Sequence, residues 1–378
     1  MTDVVDRSDF VQSLREFAKR ECGTKEQRDR LSSDGQVTHN QELYDKVVEL
    51  GWAGCGIPTE YGGGGGSASD VCALVEEMSY GLAPLYGMVI TLVSATVVER
   101  FGNEDQKRDI LGGVTRGDVL ATAISEPSSG SDPGSMICRA ERDGDNYVIN
   151  GQKTWISCAH IAKRIQVLCR TDDSGSKHDG ITMIDVPAEA EGLTIRPIRT
   201  LGGDEVNEVY FDNVTVGADR VIGDPGKAWQ QIMRTLNTDR LMCGAMFLGR
   251  ARRIFDDTVE YVRTREQFGR PIGSFQAIRH RIADLATELE CCRLLVRDLA
   301  AKLDADPERC EPREASMVKL KVTETAKRMA IEGMQLLGGA GYTKDHDMEL
   351  HLRESIVSTV YAGTSEIQRE IIGKSYGL

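Results

Sequence analysis

The sequence predicts an α+β fold in three zones: helices, then antiparallel strands, then helices again. Three observations lead there. From Pro225 onward, long segments with helical periodicity run over Ala228 to Thr264, His280 to Asp304 and Pro312 to Leu337. Between Asp118 and Asp224, short β-rich runs lie between Asp-Gly, Asp-Asn and Ser-Gly pairs, which are turn dipeptides. Strand and helix patterns do not alternate along the chain, which argues against a Rossmann arrangement.

The first zone, residues 1–117, reads as helical. In QELYDKVVEL, Leu43, Val47, Val48 and Leu50 recur at roughly helical spacing. Ser69 to Gly81 and Met88 to Arg100 are further helices, with Ser69 the expected N-cap. Gly51 and the run Gly62 to Gly66 stop helices. That run lacks the Lys-Ser/Thr of a phosphate loop, and no strand precedes it, so it reads as a flexible helix–helix connection. The second zone, 118–224, holds YVINGQKTWIS, IQVLCR, GITMIDV, LTIRPI and VYFDNVTV. Strands that close together, with no helix between, suggest a barrel or a sandwich. The third zone, 225–378, ends in a helix expected to begin near Ser365.

Composition narrows the function classes. The chain of 378 residues is 40% hydrophobic and 28% charged, a globular balance. Its net charge, 46 − 59 = −13, argues against nucleic acid as a partner. The polar start shows no secretory signal, and Met88 to Val98 is too short for a bilayer span. The ten cysteines include no C-x-x-C, and the six histidines form no H-E-x-x-H. A cytoplasmic, metal-free protein with reduced thiols is expected.

Four local sequences hold residue types suited to chemistry. Ser125 to Asp132 (SEPSSGSD) is a loop of hydroxyls and small residues; it either caps a turn or approaches a ligand closely. Trp155-Ile156-Ser157 ends a strand; the indole packs either the core or a flat ring. Arg263 to Pro271, followed by Phe275-Gln276, ends a long helix with three arginines, which either stay solvated or fork onto phosphate. Gln335 to Tyr342 runs a helix into glycines, which serve as a cap or allow close backbone contact.

With Tyr361 to Arg369 (YAGTSEIQR), these sequences stand in an order that resembles the acyl-CoA dehydrogenase flavoprotein family over nearly the whole chain. The resemblance implies an N-terminal helical domain, a middle antiparallel β-barrel and a C-terminal four-helix bundle. It implies FAD, an acyl-CoA or carrier-bound acyl substrate, an electron-transfer flavoprotein as acceptor, and a tetramer, either homomeric or of two subunit types. By matching positions, Thr122, Ala123, Ile124, Ser125, Gly130 and Ser131 line the flavin, and Trp155, Ile156 and Ser157 pack beside its ring. Arg265, Glu266, Gln267, Phe268, Phe275 and Gln276 meet the FAD of a neighbouring subunit, as do Gln335, Leu336, Leu337, Gly338 and Gly339. Thr364, Ser365 and Glu366 contact FAD again. Ser131, Asn237, Arg240, Ala362 and Gly363 match positions that touch substrate.

The family reaction takes an α-proton from an acyl thioester and passes a β-hydride to flavin N5. It needs a carboxylate at the proton and hydrogen bonds to the thioester oxygen. In many members the base is a glutamate immediately before Gly-Thr-Ser. Here that residue is Ala362, whose backbone N–H alone could serve, by binding the oxygen. A second family solution places a glutamate just before an arginine on a long helix. The matching residue here is Asp239, before Arg240. Asp239 is the candidate base; the alternative is a structural acid paired with a nearby arginine. It is one methylene shorter than glutamate, and ~1 Å of misplacement costs on the order of 100-fold in rate. Glu366 ranks below it. Two other readings stay open: a flavin oxidase or monooxygenase on the same fold, and a base-lacking partner subunit of a heteromeric enzyme.

Overall fold

The computed structural model describes residues 7–309 and 311–378. Helices come first: α1 (Ser8–Cys22), α2 (Lys25–Ser32), α3 (Gln41–Glu49), α4 (Ala68–Tyr80), α5 (Tyr86–Phe101) and the short α6 (Glu104–Gln106) and α7 (Gly112–Thr115). Strands follow: β1 (Leu120–Ala123), β2 (Arg139–Asp143), β3 (Asn146–Ser157), β4 (Arg164–Arg170), β5 (Ile181–Pro187), β6 (Leu193–Thr200), β7 (Gly203–Gly217) and β8 (Val221–Ile222). Then come α8 (Ala228–Thr264), β9 (Glu266–Gln267), β10 (Arg270–Pro271), α9 (Gln276–Ala305), α10 (Pro312–Leu337), α11 (Met348–Val357) and α12 (Ser365–Lys374). The helix–strand–helix order is the one the sequence predicts. The chain divides into two compact units.

The strand-containing unit comprises Gln36–Gly66 and Pro84–Thr238. Its sheet runs β6-β7-β3-β2-β4-β5-β8, with β1 beside β4. Most pairings are antiparallel; β1 joins β4 in parallel. β4 and β5 are buried on both faces, so strand alternation divides their side chains between two cores. Ile165, Val167, Ile184 and Val186 join Ile149, Val209 and Val214 on one side. Leu168, Ile181 and Met183 join Ile57, Val98, Leu111 and Ile232 on the other. Full burial of each such side chain stabilises by about 1.5–3 kcal/mol. The glycine run in this unit is stitched rather than loose. Gly64, Gly65 and Gly66 donate to the carbonyls of Gly54, Ile57 and Cys55 at 2.9, 2.9 and 2.7 Å. A Cβ on Gly63 would collide with the Ile57 carbonyl, which is why glycine stands there.

The helical unit comprises residues up to Gly35, Ser67–Ala83 and Asp239–Leu378. α10 buries Ala315, Val318, Val322, Ala326, Met329, Ala330 and Gly333, one stripe at helical spacing. Gly244 on α8 lies so near Val318 that a Cβ would collide with it, so α8 and α10 approach closely there. Arg7 ties Asp70 at 2.6 Å and Asp304 at 3.1 Å, and Arg252 pairs with Glu76 and Glu77.

Two local details differ from the sequence reading. The cap of α4 is Ser67, not Ser69: Ser67 and Asp70 exchange side-chain and backbone hydrogen bonds in a capping box, so the helix starts earlier. α11 was not anticipated, because its buried positions include polar His351 and Ser355. All described cysteines are buried except Cys291. Among the described residues, no helix is long and apolar enough to cross a membrane, and no cluster of three or more acids, cysteines or histidines is placed to hold a metal.

Candidate functional site

The predicted site residues lie in both units, and each set is held by its own local architecture. In the strand unit, the Ser125–Asp132 loop is fixed from beneath by a buried ion pair. Lys153 Nζ meets Glu126 Oε1 at 2.8 Å, with both side chains shielded from solvent, and also donates to the Ile124 carbonyl at 2.9 Å. The Glu126 carboxylate accepts the backbone N–H groups of Ile137 (2.7 Å) and Cys138 (2.9 Å). The Ser125 carbonyl accepts Thr154 N–H at 2.9 Å. Thr122 Oγ1 pairs with Ser94 Oγ at 2.9 Å, while Ala123 is buried and Ile124 half-buried. Above this base, Gly130 and Ser131 are exposed, and Ser129 Oγ is buried without a partner. Glu126 and Lys153 fall within the SEPSSGSD and GQKTWIS segments, but the sequence reading gave neither of them a role. The clue was a lysine on a strand whose neighbours pack inward.

Trp155 is not a core residue. The pairing of β3 with β7 slips between Lys153 and Ile156, and this bulge puts Trp155 at φ +62°, leaving it 60% exposed. Ile156 turns into the core at 2% exposure, and its carbonyl is held by Asn207 Nδ2 at 3.0 Å. Ser157 is half-buried. A bulky residue at positive φ is a strained placement, here aiming a flat indole outward.

In the helical unit, Arg265 to Pro271 form a tight hairpin. Phe268 and Gly269 occupy its turn at φ +54° and +79°, the type I′ pattern. Arg265, Glu266 and Gln267 are exposed, and Phe268 is 93% exposed. Phe268 meets Phe275 edge-on at 6.0 Å, and the Arg270 guanidinium lies 4.2 Å over the Phe275 ring. Gln276 begins α9 and is exposed. At the end of α10, Leu336 and Leu337 are buried, whereas Gln335, Gly338 and Gly339 face outward. Gly338 adopts φ +61°, ψ −138°, a conformation essentially reserved for glycine.

Thr364, Ser365 and Glu366 line a cleft of about 490 Å³ together with Lys327, Arg328 and Thr359. Thr364 caps α12, its hydroxyl accepting Ile367 N–H at 3.3 Å. Glu366 is exposed, and hydrogen bonds from its own backbone N–H and from Thr364 hold its carboxyl below the ordinary glutamate value. A carboxyl so stabilised as an anion is a poor proton acceptor.

Asp239 has the opposite environment. It is half-buried on α8, and burial raises its pKa above the ordinary aspartate value, against the pull of Arg240 and Lys319. Among the described residues its carboxylate makes no hydrogen bond and no ion pair, and the charges that act on it are those of Arg240 and Lys319. Arg240 and Asn237 are buried. Ala362 and Gly363 form a turn with consecutive positive φ of +51° and +79°. The Tyr361 ring before them packs against Phe247, centroids 6.3 Å apart. Gln368 Nε2 donates to the carbonyls of Ala362 (3.1 Å) and Gly363 (2.8 Å). Lys319 Nζ donates to the Gly363 carbonyl at 2.9 Å. Gln368 belongs to the Tyr361–Arg369 motif but was given no role from the sequence, and Lys319 was not flagged.

Family profiles match three successive stretches: the acyl-CoA dehydrogenase N-terminal domain over residues 6–118, the middle domain over 121–214 and the C-terminal domain over 226–377. The chain is 34% identical to probable acyl-CoA dehydrogenase YngJ of Bacillus subtilis, over 96% of this chain and 95% of that protein. It is 32% identical to the caffeyl-CoA reductase-Etf complex subunit CarC of Acetobacterium woodii, over 95% and 94%. Among solved structures, an acyl-CoA dehydrogenase from Geobacillus kaustophilus superposes with a TM-score of 0.93 at 29% identity, covering 99% of this chain and 98% of that one. The prolyl acyl carrier protein oxidase AnaB superposes with a TM-score of 0.92 at 26% identity, covering 99% of each.

Proposed function

The chain belongs to the acyl-CoA dehydrogenase family of flavoprotein oxidoreductases, and on that premise we propose that it desaturates the α,β-bond of an acyl-CoA thioester with Asp239 as base and FAD as cofactor. The observation that carries the assignment of the base is the Asp239 carboxyl: half-buried, unpaired and raised in pKa. A base whose pKa moves toward the working pH transfers protons more effectively. Position 362, where many relatives hold the glutamate, offers only a methyl group.

In this reading Asp239 takes the α-proton as the thioester oxygen gains charge. The Ala362 N–H, on a turn whose carbonyls are already tied, donates to that oxygen. Bound FAD supplies the acceptor for the β-hydride. By the family resemblance its holders are Thr122 to Ser125, Gly130, Ser131, Trp155 to Ser157 and Thr364 to Glu366, while Arg265 to Phe268, Phe275, Gln276 and Gln335 to Gly339 meet the FAD of a neighbouring subunit. These residues fit such a group. Trp155 presents an exposed flat ring, Ser129 Oγ lacks a partner, and Lys327 and Arg328 line the cleft beside Thr364, where a diphosphate finds cations. Ser131, Asn237, Arg240 and Gly363 meet the substrate. The domain limits 1–117, 118–224 and 225–378 belong to the same proposal, as do a cytoplasmic location and a tetramer in which the exposed Phe268 hairpin reaches a neighbouring subunit's cofactor. An electron-transfer flavoprotein as acceptor is supported by the resemblance to CarC, which is named for its Etf complex.

A second reading, an oxidase acting on a carrier-bound acyl group, is favoured by the likeness to AnaB. One experiment addresses both. The flavin-loaded chain is titrated anaerobically with acyl-CoAs of graded length and then exposed to O2. Bleaching that reverses slowly in air and quickly with an electron-transfer flavoprotein supports the dehydrogenase. Rapid reoxidation in air supports the oxidase. Asp239→Ala is expected to abolish bleaching while retaining FAD, and undiminished bleaching removes Asp239 from the role.

A further inference from the structure

Lys319 is wholly buried on α10, on the same stripe as Ala315, Val318 and Val322. An ammonium withdrawn from water is expensive unless something uses its charge. Among the described residues no carboxylate lies within ion-pair distance of it, and its hydrogen bond goes to the Gly363 carbonyl at 2.9 Å. Gln368 holds the same carbonyl and that of Ala362, so both peptide planes flanking Gly363 are anchored. The Ala362 N–H is then separated from anchored backbone by one residue, whose own φ is +51°.

The charge has a second audience. Asp239 and Cys243, one turn apart on α8, act electrostatically on Lys319 together with Arg240 and Glu324. Gly244 brings the two helices close at this level, where a side chain would strike Val318. Burial lowers the pKa of Lys319 and raises those of Asp239 and Cys243, the latter to about 12. Cys243 therefore stays a neutral thiol, and Asp239 is the acid on α8 whose pKa the charge of Lys319 pulls down against burial.

We propose that Lys319 is a positioning residue for the dehydrogenation, its one buried ammonium both anchoring the turn that presents the Ala362 N–H and supplying the counter-charge that keeps Asp239 ionised. This rests on Asp239 as the base. It couples the two halves of α-proton removal, so that the base and the oxygen-binding turn are set by the same side chain.

The test uses the flavin-loaded full chain and three variants. Lys319→Gln keeps a donor for Gly363 and loses the charge. Lys319→Met loses both, and Gln368→Leu loses the other anchor while leaving the charge. Anaerobic flavin reduction by acyl-CoA is measured against pH, and the Asp239 carboxyl is titrated by infrared difference spectroscopy. Removing a cation makes ionisation harder, so the low-pH limb of the rate, and the infrared titration with it, shifts to higher pH in Lys319→Gln and Lys319→Met. Lys319→Met also reduces the rate at the high-pH plateau at least tenfold. Gln368→Leu lowers the plateau without moving the limb. An unmoved limb in folded Lys319→Gln overturns the proposal. So does the collapse of both lysine variants into unfolded chain, which makes the lysine a scaffold residue only. Failure of the underlying reading looks different: Asp239→Asn then bleaches like the parent, whatever Lys319 does.

Discussion

Lys153 and Lys319 are both shielded completely from solvent, yet their charges meet different surroundings. Lys153 pairs with Glu126 at 2.8 Å, and that carboxylate also accepts two backbone N–H groups. Its charge is neutralised within the strand unit, and the result is a fixed loop. Lys319 meets a carbonyl, and its nearest acids act on it from beyond ion-pair distance. The comparison teaches how to tell a structural charge from a working one. A buried pair that satisfies itself holds backbone in place, whereas the role proposed for Lys319 is to bias the charge of Asp239.

The two lysines should therefore fail differently when removed. Lys153→Met leaves the Glu126 carboxylate buried without its cation, and the expected loss of stability is about 3–5 kcal/mol, read by urea unfolding. Adding Glu126→Gln should recover part of that loss, because it removes the unpaired buried charge, although its single amide oxygen replaces only one of the two that accept Ile137 and Cys138 N–H. Lys319→Met removes a charge whose partner is one carbonyl, and should cost only about 1–3 kcal/mol. Equal losses at the two sites would break the comparison. The smallest effect is expected at Trp155. Trp155→Gly relieves a positive φ and leaves core packing intact, so stability should change by no more than about 1 kcal/mol. The FAD dissociation constant, measured by fluorescence titration, should nevertheless rise by at least tenfold. Unchanged FAD affinity would remove the indole from the cofactor site.

Much of this architecture was legible in residue order. Pro312 to Leu337 shows its apolar stripe plainly, and the β-rich runs appear between their turn pairs. α11 was hidden because His351 and Ser355 occupy buried positions that a hydrophobic pattern cannot reveal. Trp155 was ambiguous because period-two alternation does not show where a bulge shifts the register. The polar supports were missed for a different reason. Lys153 and Glu126 lie 27 residues apart, and Lys319 and Gly363 lie 44 apart. Neither pairing is local. A lysine inside the apolar stripe of α10, like the lysine on inward-packed β3, was the available clue, because such a position is costly for a charge without a purpose.

The base is tested most directly by moving the carboxylate from one family position to the other. Flavin-loaded Asp239→Ala and Asp239→Ala/Ala362→Glu are mixed anaerobically with the best acyl-CoA, and flavin absorbance is followed by stopped flow. The single variant should lose bleaching by at least about 100-fold, the scale of a missing general base. The double variant should regain a measurable part of it, because a glutamate then stands beside Gly363. Bleaching by the single variant at the parent's rate would contradict the assignment of Asp239 as the proton acceptor.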